Sequence, residues 1–294
     1  MRRLAHARVV DAVRRELIVV AIDVTLLGTG NPLPDAQRAG AATLVRAGAV
    51  TLLCDAGRGV LQRLAAAGVL PIQISAVLLT HLHSDHICDL NDVVTTHWVM
   101  SREPSTLRIV GPHRTREVVD GMLAMLQPDV EYRIAHHEDL TWTPQLDVQE
   151  FERGSVLDEA RVTVTALPTD HRPVEPTLGY RIEHEGRVVV IAGDTVPCAG
   201  LDELCADADV YVQTVLRDDL VQMVPLQRFR DTIDYHSTVR QAAETAARNR
   251  VRTLVLTHYV PTPPPGALDE WRALAAEHFD GEIVAGDDLT TVSI

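Results

Sequence analysis

Four side chains of metal-ligand type, His81, His83, Asp85 and His86, lie within six consecutive residues that follow an apolar run at 76–80. Imidazole nitrogens and a carboxylate suit Zn²⁺ and, less selectively, Mn²⁺ or Fe. Their alternation sends His81 and His83 toward one ion, while Asp85 and His86 serve a second. The segment therefore predicts a binuclear metal site, against the alternative of exposed histidines on a turn.

Three later segments repeat this layout, in which an apolar run is followed by a small or hydroxyl residue and then by a possible ligand. They end in His171, Asp194 and His258. A binuclear site needs about seven protein ligands, more than the first segment supplies. Because binding residues gather on loops held by strands, we expect four strand ends to converge on one site. The alternatives are a capping or surface histidine and a simple Gly-Asp turn.

The remaining histidines fit structural roles better. His97 lies at helical spacing from apolar neighbours, and His113 follows a Gly-Pro turn from which it could at most line a cleft. His136, His137 and His184 lie in polar or hairpin-like segments, so we expect them at the surface.

Length and composition indicate a large α/β protein. The chain has 294 residues, of which 46% are hydrophobic, and no composition break, so we expect one domain spanning 1–294. No segment approaches the roughly 18 apolar residues of a membrane helix, and charged residues interrupt 1–20, which argues against a signal peptide. Four cysteines without C-x-x-C spacing fit reduced thiols and a cytoplasmic location.

A formal net charge of −14 repels polyanions over most of the surface. We therefore expect a small-molecule or short phosphoester substrate, with long nucleic acid unfavoured. We also expect no membrane partner and assembly as a homodimer.

The pattern of short apolar runs and amphipathic stretches predicts both strands and helices. Strands are predicted at 18–27, 43–46, 50–54, 77–80, 107–110, 162–167, 188–192, 210–215 and 254–257. Helices are predicted at 59–67, 89–100, 115–126 and 238–249. Glu185-Gly186 predicts a hairpin between 179–183 and 187–191, so the sheet is not purely parallel. Two mixed β-sheets with outer helices, an αββα sandwich, fit better than a doubly wound fold.

In the order of its candidate ligands the chain resembles the metallo-β-lactamase superfamily. The H-x-H-x-D-H loop, a later His, a later Asp and a final His correspond to 81–86, His171, Asp194 and His258. The segments L-L-G-T-G at 26–30, L-C-D-A-G-R-G at 53–59 and H-S-T at 236–238 are similar to the ribonuclease Z and arylsulfatase-like phosphodiesterase branch. Ribonuclease Z usually carries a long tRNA-gripping arm in the interval between His171 and Asp194, which is too short here to hold it, so the chain resembles ribonuclease Z less in this interval.

The resemblance implies a metallo-β-lactamase fold and hydrolysis by a hydroxide that bridges two zinc ions. It implies that Asp85 ligates one ion and orients the hydroxide, that Asp194 bridges, and that His236 assists the leaving group. Asp55 is expected to support the first loop. An acidic residue normally steadies the histidine at position 236, and Gln213 lies near where it is expected.

Three functions follow from these observations. The first is a binuclear zinc phosphodiesterase or a related aryl sulfate-type ester hydrolase. The second is a ribonuclease Z-like tRNA 3′-end endonuclease without the long arm. The third is a lactonase or a binding protein without turnover. A flavin-linked iron oxidoreductase is disfavoured because the loop keeps His83, where those members carry an acidic residue.

Overall fold

The computed structural model describes residues 22–294 and contains two seven-stranded β-sheets. The strands are β1 (Ile22–Gly28), β2 (Ala42–Ala47), β3 (Val50–Cys54), β4 (Ala76–Leu78), β5 (Thr106–Gly111), β6 (Gln145–Glu150), β7 (Gly154–Glu159), β8 (Val162–Pro168), β9 (Leu178–His184), β10 (Arg187–Ile191), β11 (Val210–Leu216), β12 (Thr253–Val260), β13 (Glu282–Ala285) and β14 (Thr291–Ser293). The expectation about residues 1–20 and the start of the first predicted strand lie outside the described residues.

Nine α-helices connect these strands within the described range. They are α1 (Val60–Ala66), α2 (Ser84–Ile87), α3 (Leu90–Met100), α4 (Thr115–His136), α5 (Ala199–Cys205), α6 (Asp218–Val221), α7 (Gln227–Arg230), α8 (Val239–Arg248) and α9 (Leu268–Ala276). Two short 3-10 helices lie at Pro71–Gln73 and Asp231–Asp234. No helix in this range has the length and apolarity needed to cross a bilayer.

The two sheets repeat one arrangement. The first has the order β14-β1-β2-β3-β4-β5-β6, antiparallel from β14 to β3 and parallel from β3 to β6. The second has the order β13-β12-β11-β10-β9-β8-β7, antiparallel from β7 to β10 and parallel from β10 to β13. The loops that follow β4, β8 and β10 meet, since ligand-type atoms of His81, His171 and Asp194 lie within 4.8 Å of one another.

Burial on both faces explains the continuous apolar runs of the central strands. In β3, Leu52 faces the core between the sheets, and Leu53 packs with Val93 of α3 on the outer face. In β12, Val255 faces inward and Leu254 packs against α8 and α9. Helices thus cover the outer face of each sheet, which confirms the predicted αββα sandwich.

The strands that the sequence pattern did not predict are the edge strands β6, β7, β13 and β14. Edge strands carry exposed polar residues, as in β6, where only Val148 is buried, so their apolar signal is weak.

The predicted 115–126 helix continues to His136 despite Pro128 within it. The predicted hairpin is confirmed, with positive φ angles at Glu185 and Gly186 that suit a tight two-residue turn.

Candidate metal centre

The first group of possible ligands combines loops from both sheets. Atoms of His81, His83, His171 and Asp194 lie within 4.8 Å of one another. Nδ1 of His83 lies 3.0 Å from Nε2 of His81 and 3.3 Å from Nε2 of His171. Three imidazole nitrogens and a carboxylate oxygen thus surround one point, as four-coordinate Zn²⁺ requires.

A second group lies beside the first. It consists of Asp85, His86 and His258, all buried. Oδ2 of Asp85 lies 3.1 Å from Nε2 of His258 and 3.7 Å from Nε2 of His86. All seven residues predicted as ligands are therefore brought together.

Oδ2 of Asp194 connects the two groups. It lies 3.8 Å from Nε2 of His81 and of His171 in the first group. It also lies 3.5 Å from Nε2 of His86 and 3.8 Å from Nε2 of His258 in the second. One carboxylate oxygen at similar distances from both sets of nitrogens has the placement of a bridging ligand.

Asp55 orients two of the imidazoles. One of its oxygens lies 2.8 Å from Nδ1 of His86 and accepts a hydrogen bond from the Thr80 hydroxyl at 2.8 Å. That hydroxyl lies 3.0 Å from Nδ1 of His81. The other oxygen accepts the Thr80 backbone N–H. These contacts turn Nε2 of both imidazoles toward the site, the usual arrangement behind metal-binding histidines.

Three further ligand positions depend on the backbone. Nδ1 of His171 donates to the carbonyl of Tyr235 at 2.7 Å, which fixes the ring with Nε2 inward. His258 has φ +48°, beside a register irregularity between β11 and β12. A bulge of this kind re-aims a side chain that regular pairing would direct elsewhere. Gly193 has φ +66°, and a Cβ there would lie 2.6 Å from Thr80, so the turn before Asp194 requires glycine.

Burial controls the protonation of the first imidazoles. It lowers the pKa of His81 well below its ordinary value, that of His171 to about 4, and that of His83 to a smaller extent. These rings are therefore neutral near pH 7 and offer a free lone pair, which is the form that binds metal.

The carboxylates remain ionised despite their burial. Burial raises the pKa of Asp194, but the imidazoles of His258, His86 and His236 outweigh it and hold that pKa well below its ordinary value. Burial likewise opposes ionisation of Asp85, and the hydrogen bond from His258 lowers its pKa to about 2. Both side chains thus carry negative charge toward the point where cations would lie.

The donor set fits divalent metal ions. Nε2 of His86 and Oδ1 of Asp194 are buried and lack a hydrogen-bond partner among the described residues. Leaving a buried polar atom unpaired costs about 1–3 kcal/mol. Coordination would satisfy these atoms, and histidine with aspartate is a donor set that zinc, manganese and iron accept.

His236, predicted as a catalytic residue, lies beside Asp194 and His258. Its Nε2 is 3.1 Å from Oδ2 of Asp194, and its Nδ1 donates to the carbonyl of Thr232 at 3.0 Å. A backbone carbonyl therefore replaces the acidic partner that the family pattern implied. Gln213 forms no hydrogen bond with His236 and instead donates to the carbonyls of Thr214 and Gly193, beside the Asp194 turn.

Other histidines mostly follow expectation. His136 and His137 are exposed, His97 is buried in α3, and His113 is exposed beside Glu150. The prediction that His184 lies at the surface is wrong. Its side chain is buried, with Nδ1 3.1 Å from the carbonyl of Arg161, because the β9 end packs against the turn at Gly48.

Comparisons with known proteins agree with this site. A model of the β-lactamase superfamily domain matches residues 51–259. The chain is 59% identical over 275 residues to ribonuclease Z of Mycolicibacterium gilvum (93% of this chain, 96% of the relative). It is 55% identical over 275 residues to ribonuclease Z of Mycobacterium bovis (93% and 98%).

Two solved structures share the fold. The metallo-β-lactamase fold protein YhfI of Bacillus subtilis is 24% identical with a TM-score of 0.73, covering 93% of this chain and 99% of that one. Human tRNase Z, short form, is 24% identical with a TM-score of 0.69, covering 92% and 99%.

The relatives overturn the expectation that long nucleic acid is unfavoured. They are named as ribonucleases, and they match this chain over nearly their whole length, so they share its compact size. The expectation failed because net charge sums over the whole surface, whereas phosphate binding depends on local cations, including any metal ions at the site. The chain is a metal-dependent hydrolase, and it belongs to the metallo-β-lactamase superfamily and, within it, to the ribonuclease Z family.

Proposed function

We propose that this chain is an endoribonuclease that cleaves precursor tRNA at its 3′ end, using two divalent ions of which zinc is the first candidate. The observation that carries the proposal is the position of Asp194, whose Oδ2 lies 3.5–3.8 Å from four imidazole nitrogens of two ligand groups. Relatives that are 54–59% identical and named ribonuclease Z support RNA as the substrate.

One ion would be held by His81, His83, His171 and Asp194, and the other by Asp85, His86, His258 and Asp194. Bound divalent ions supply Lewis-acid stabilisation of the charge on a phosphoryl group and lower the pKa of water. Asp55 and Thr80 hold the imidazoles of His81 and His86 in the required orientation.

We propose that His236 donates a proton to the leaving oxygen. Its Nδ1 faces the carbonyl of Thr232, which can only accept, so Nδ1 carries a hydrogen and Nε2 points into the site. A protonated Nε2 there would reach the oxygen released from phosphorus. General acids of this kind contribute about 10²–10⁴-fold to rate.

The proposed function is tested with precursor tRNA carrying a 3′ trailer. Metal-stripped protein is reconstituted with Zn²⁺ or Mn²⁺, and the cleavage position is mapped. We expect one cut at the end of the acceptor stem and none after chelation. Asp194→Asn keeps the side-chain volume and should lose the activity. Intact RNA with fully metal-loaded wild type would refute the proposal.

A further inference from the structure

The metal centre opens into a cavity of about 350 Å³ whose lining is mostly apolar. Five of the lining residues belong to the metal centre, namely His83, Asp85, Asp194, His236 and His258. The other lining residues are the apolar or aromatic Pro32, Leu33, Phe229, Tyr235, Val260 and Pro261, together with Arg228 and the polar Asn31, Thr232 and Thr262. Ligand sites of a few hundred Å³ usually combine such an apolar lining with a few polar groups.

A phosphodiester group alone does not explain the apolar lining of this cavity. The phosphate belongs beside the ligands, and the sugar that it carries is polar. In a polynucleotide the flat, weakly hydrated part is the base, and bases stack on aromatic side chains. Two aromatic rings line the cavity, those of Phe229 and Tyr235.

Tyr235 is fixed to the metal centre. Its ring lies edge-on to His171, with the centroids 5.1 Å apart, and 4.8 Å from the ring of His236. Its carbonyl also accepts the hydrogen bond from His171. Any change at Tyr235 would therefore disturb a ligand, which makes Tyr235 a poor probe of substrate contacts.

Phe229 is a cleaner probe. It lies on the short helix α7, its side chain is half-buried, and its hydrogen bonds are made by the backbone, from its N–H to Leu226 and from the Thr232 hydroxyl to its carbonyl. Removing the ring leaves these bonds unchanged. The neighbouring Arg228 is exposed, lines the same cavity and forms no ion pair with any residue of the described range. An aromatic ring beside an unpaired guanidinium suits one nucleotide of a strand, because the base can stack on the ring while the guanidinium binds the next phosphate.

We propose that this cavity binds the base of one nucleotide adjoining the scissile phosphate, with Phe229 as the stacking surface and Arg228 contacting the next phosphate of the strand. The inference rests on the proposed ribonuclease function and adds a specificity-determining contact to it. Stacking of one base accounts for about a 5- to 150-fold effect on binding.

The experiment uses precursor tRNA with a single abasic nucleotide on the 5′ or the 3′ side of the scissile bond. With wild type, we expect kcat/KM to fall about 5- to 150-fold for one of the two positions. With Phe229→Ala, kcat/KM for the intact RNA should fall by a similar factor. The abasic nucleotide should then lower kcat/KM little further, because the substitution and the abasic change remove the same contact. Phe229→Tyr should retain wild-type behaviour. Tyr132→Ala, a loss of an exposed ring on α4, is the matched control and should keep the full abasic effect.

Metal content of each variant, measured by elemental analysis, separates a lost contact from a damaged site. If Phe229→Ala does not fold, Phe229→Leu keeps most of the volume without the π-face and should show the same pattern. Two results with a wild type that cuts intact RNA would overturn the base-stacking inference and leave the proposed function standing. One is an abasic loss in Phe229→Ala as large as in wild type, and the other is no abasic effect at either position. Failure of metal-loaded wild type to cut intact RNA would overturn the proposed function and this inference with it.

Discussion

Oδ2 of Asp55 lies 2.8 Å from Nδ1 of His86, although 31 residues separate them in the chain. Asp55 has φ +62° directly after β3, a conformation that aspartate tolerates better than most residues. The Asp55 carboxylate thus lies at the end of β3 and contacts residues of the segment that follows β4. It links His86 to Thr80 and, through Thr80, to His81, so one buried side chain sets two imidazoles of different ligand groups.

Replacing Asp55 with alanine should weaken metal binding about 10- to 100-fold, the usual effect of removing a hydrogen-bond partner behind a ligand. It should also lower stability by about 1–3 kcal/mol, since the buried N–H and hydroxyl of Thr80 lose their acceptor. Chelator competition measures the first effect and thermal unfolding of the metal-free protein the second. Unchanged metal affinity in Asp55→Ala would show that the contact is structural only.

Elemental analysis should find two divalent ions per reconstituted chain. Asp194→Ala should hold at most one, because both ligand groups share this carboxylate. Asp170→Ala is the matched control. Asp170 precedes His171, yet its oxygens bond to Arg172 and it belongs to neither group, so two ions should remain. Two ions in Asp194→Ala would contradict the bridging role.

His236→Ala should keep both ions and lower turnover on RNA about 10²–10⁴-fold. The loss should be much smaller on bis(4-nitrophenyl) phosphate, because a nitrophenolate leaves without a proton. His137→Ala removes an exposed imidazole and should have no effect. Equal losses on both substrates would mean that His236 acts on the ligands rather than on the leaving group.

Strand ends were the most predictable part of the molecule. An apolar run followed by a ligand-type residue located His171, Asp194 and His258 without any knowledge of how the loops fold. Strands β10 and β12 have parallel neighbours and carry long apolar runs, whereas β8, which precedes His171, is antiparallel and alternates apolar residues with Thr163 and Thr165. In both patterns the point where the apolar residues stop can be read from the sequence. The four edge strands lack such runs and were missed.

Contacts that depend on loop shape could not be predicted. The family pattern implied an acidic partner for His236, and Gln213 lies near the position expected for it. The actual partner is the carbonyl of Thr232, and every residue carries a carbonyl. The role of Tyr235 was not predicted for the same reason. Its backbone carbonyl accepts the hydrogen bond from His171, and residue type carries no signal of such a contact. The positive φ of His258 has no signature in residue type.

Cleavage of precursor tRNA as the proposed function is tested most directly by the ratio of kcat/KM for a 3′-extended precursor tRNA to kcat/KM for bis(4-nitrophenyl) phosphate, measured with zinc-loaded protein at physiological salt. The cavity beside the ligands and the ribonuclease Z relatives predict a ratio well above one, with a single cut in the RNA. Hydrolysis of the small diester with no cleavage of the RNA would show that tRNA 3′-end cleavage is not the function of this chain.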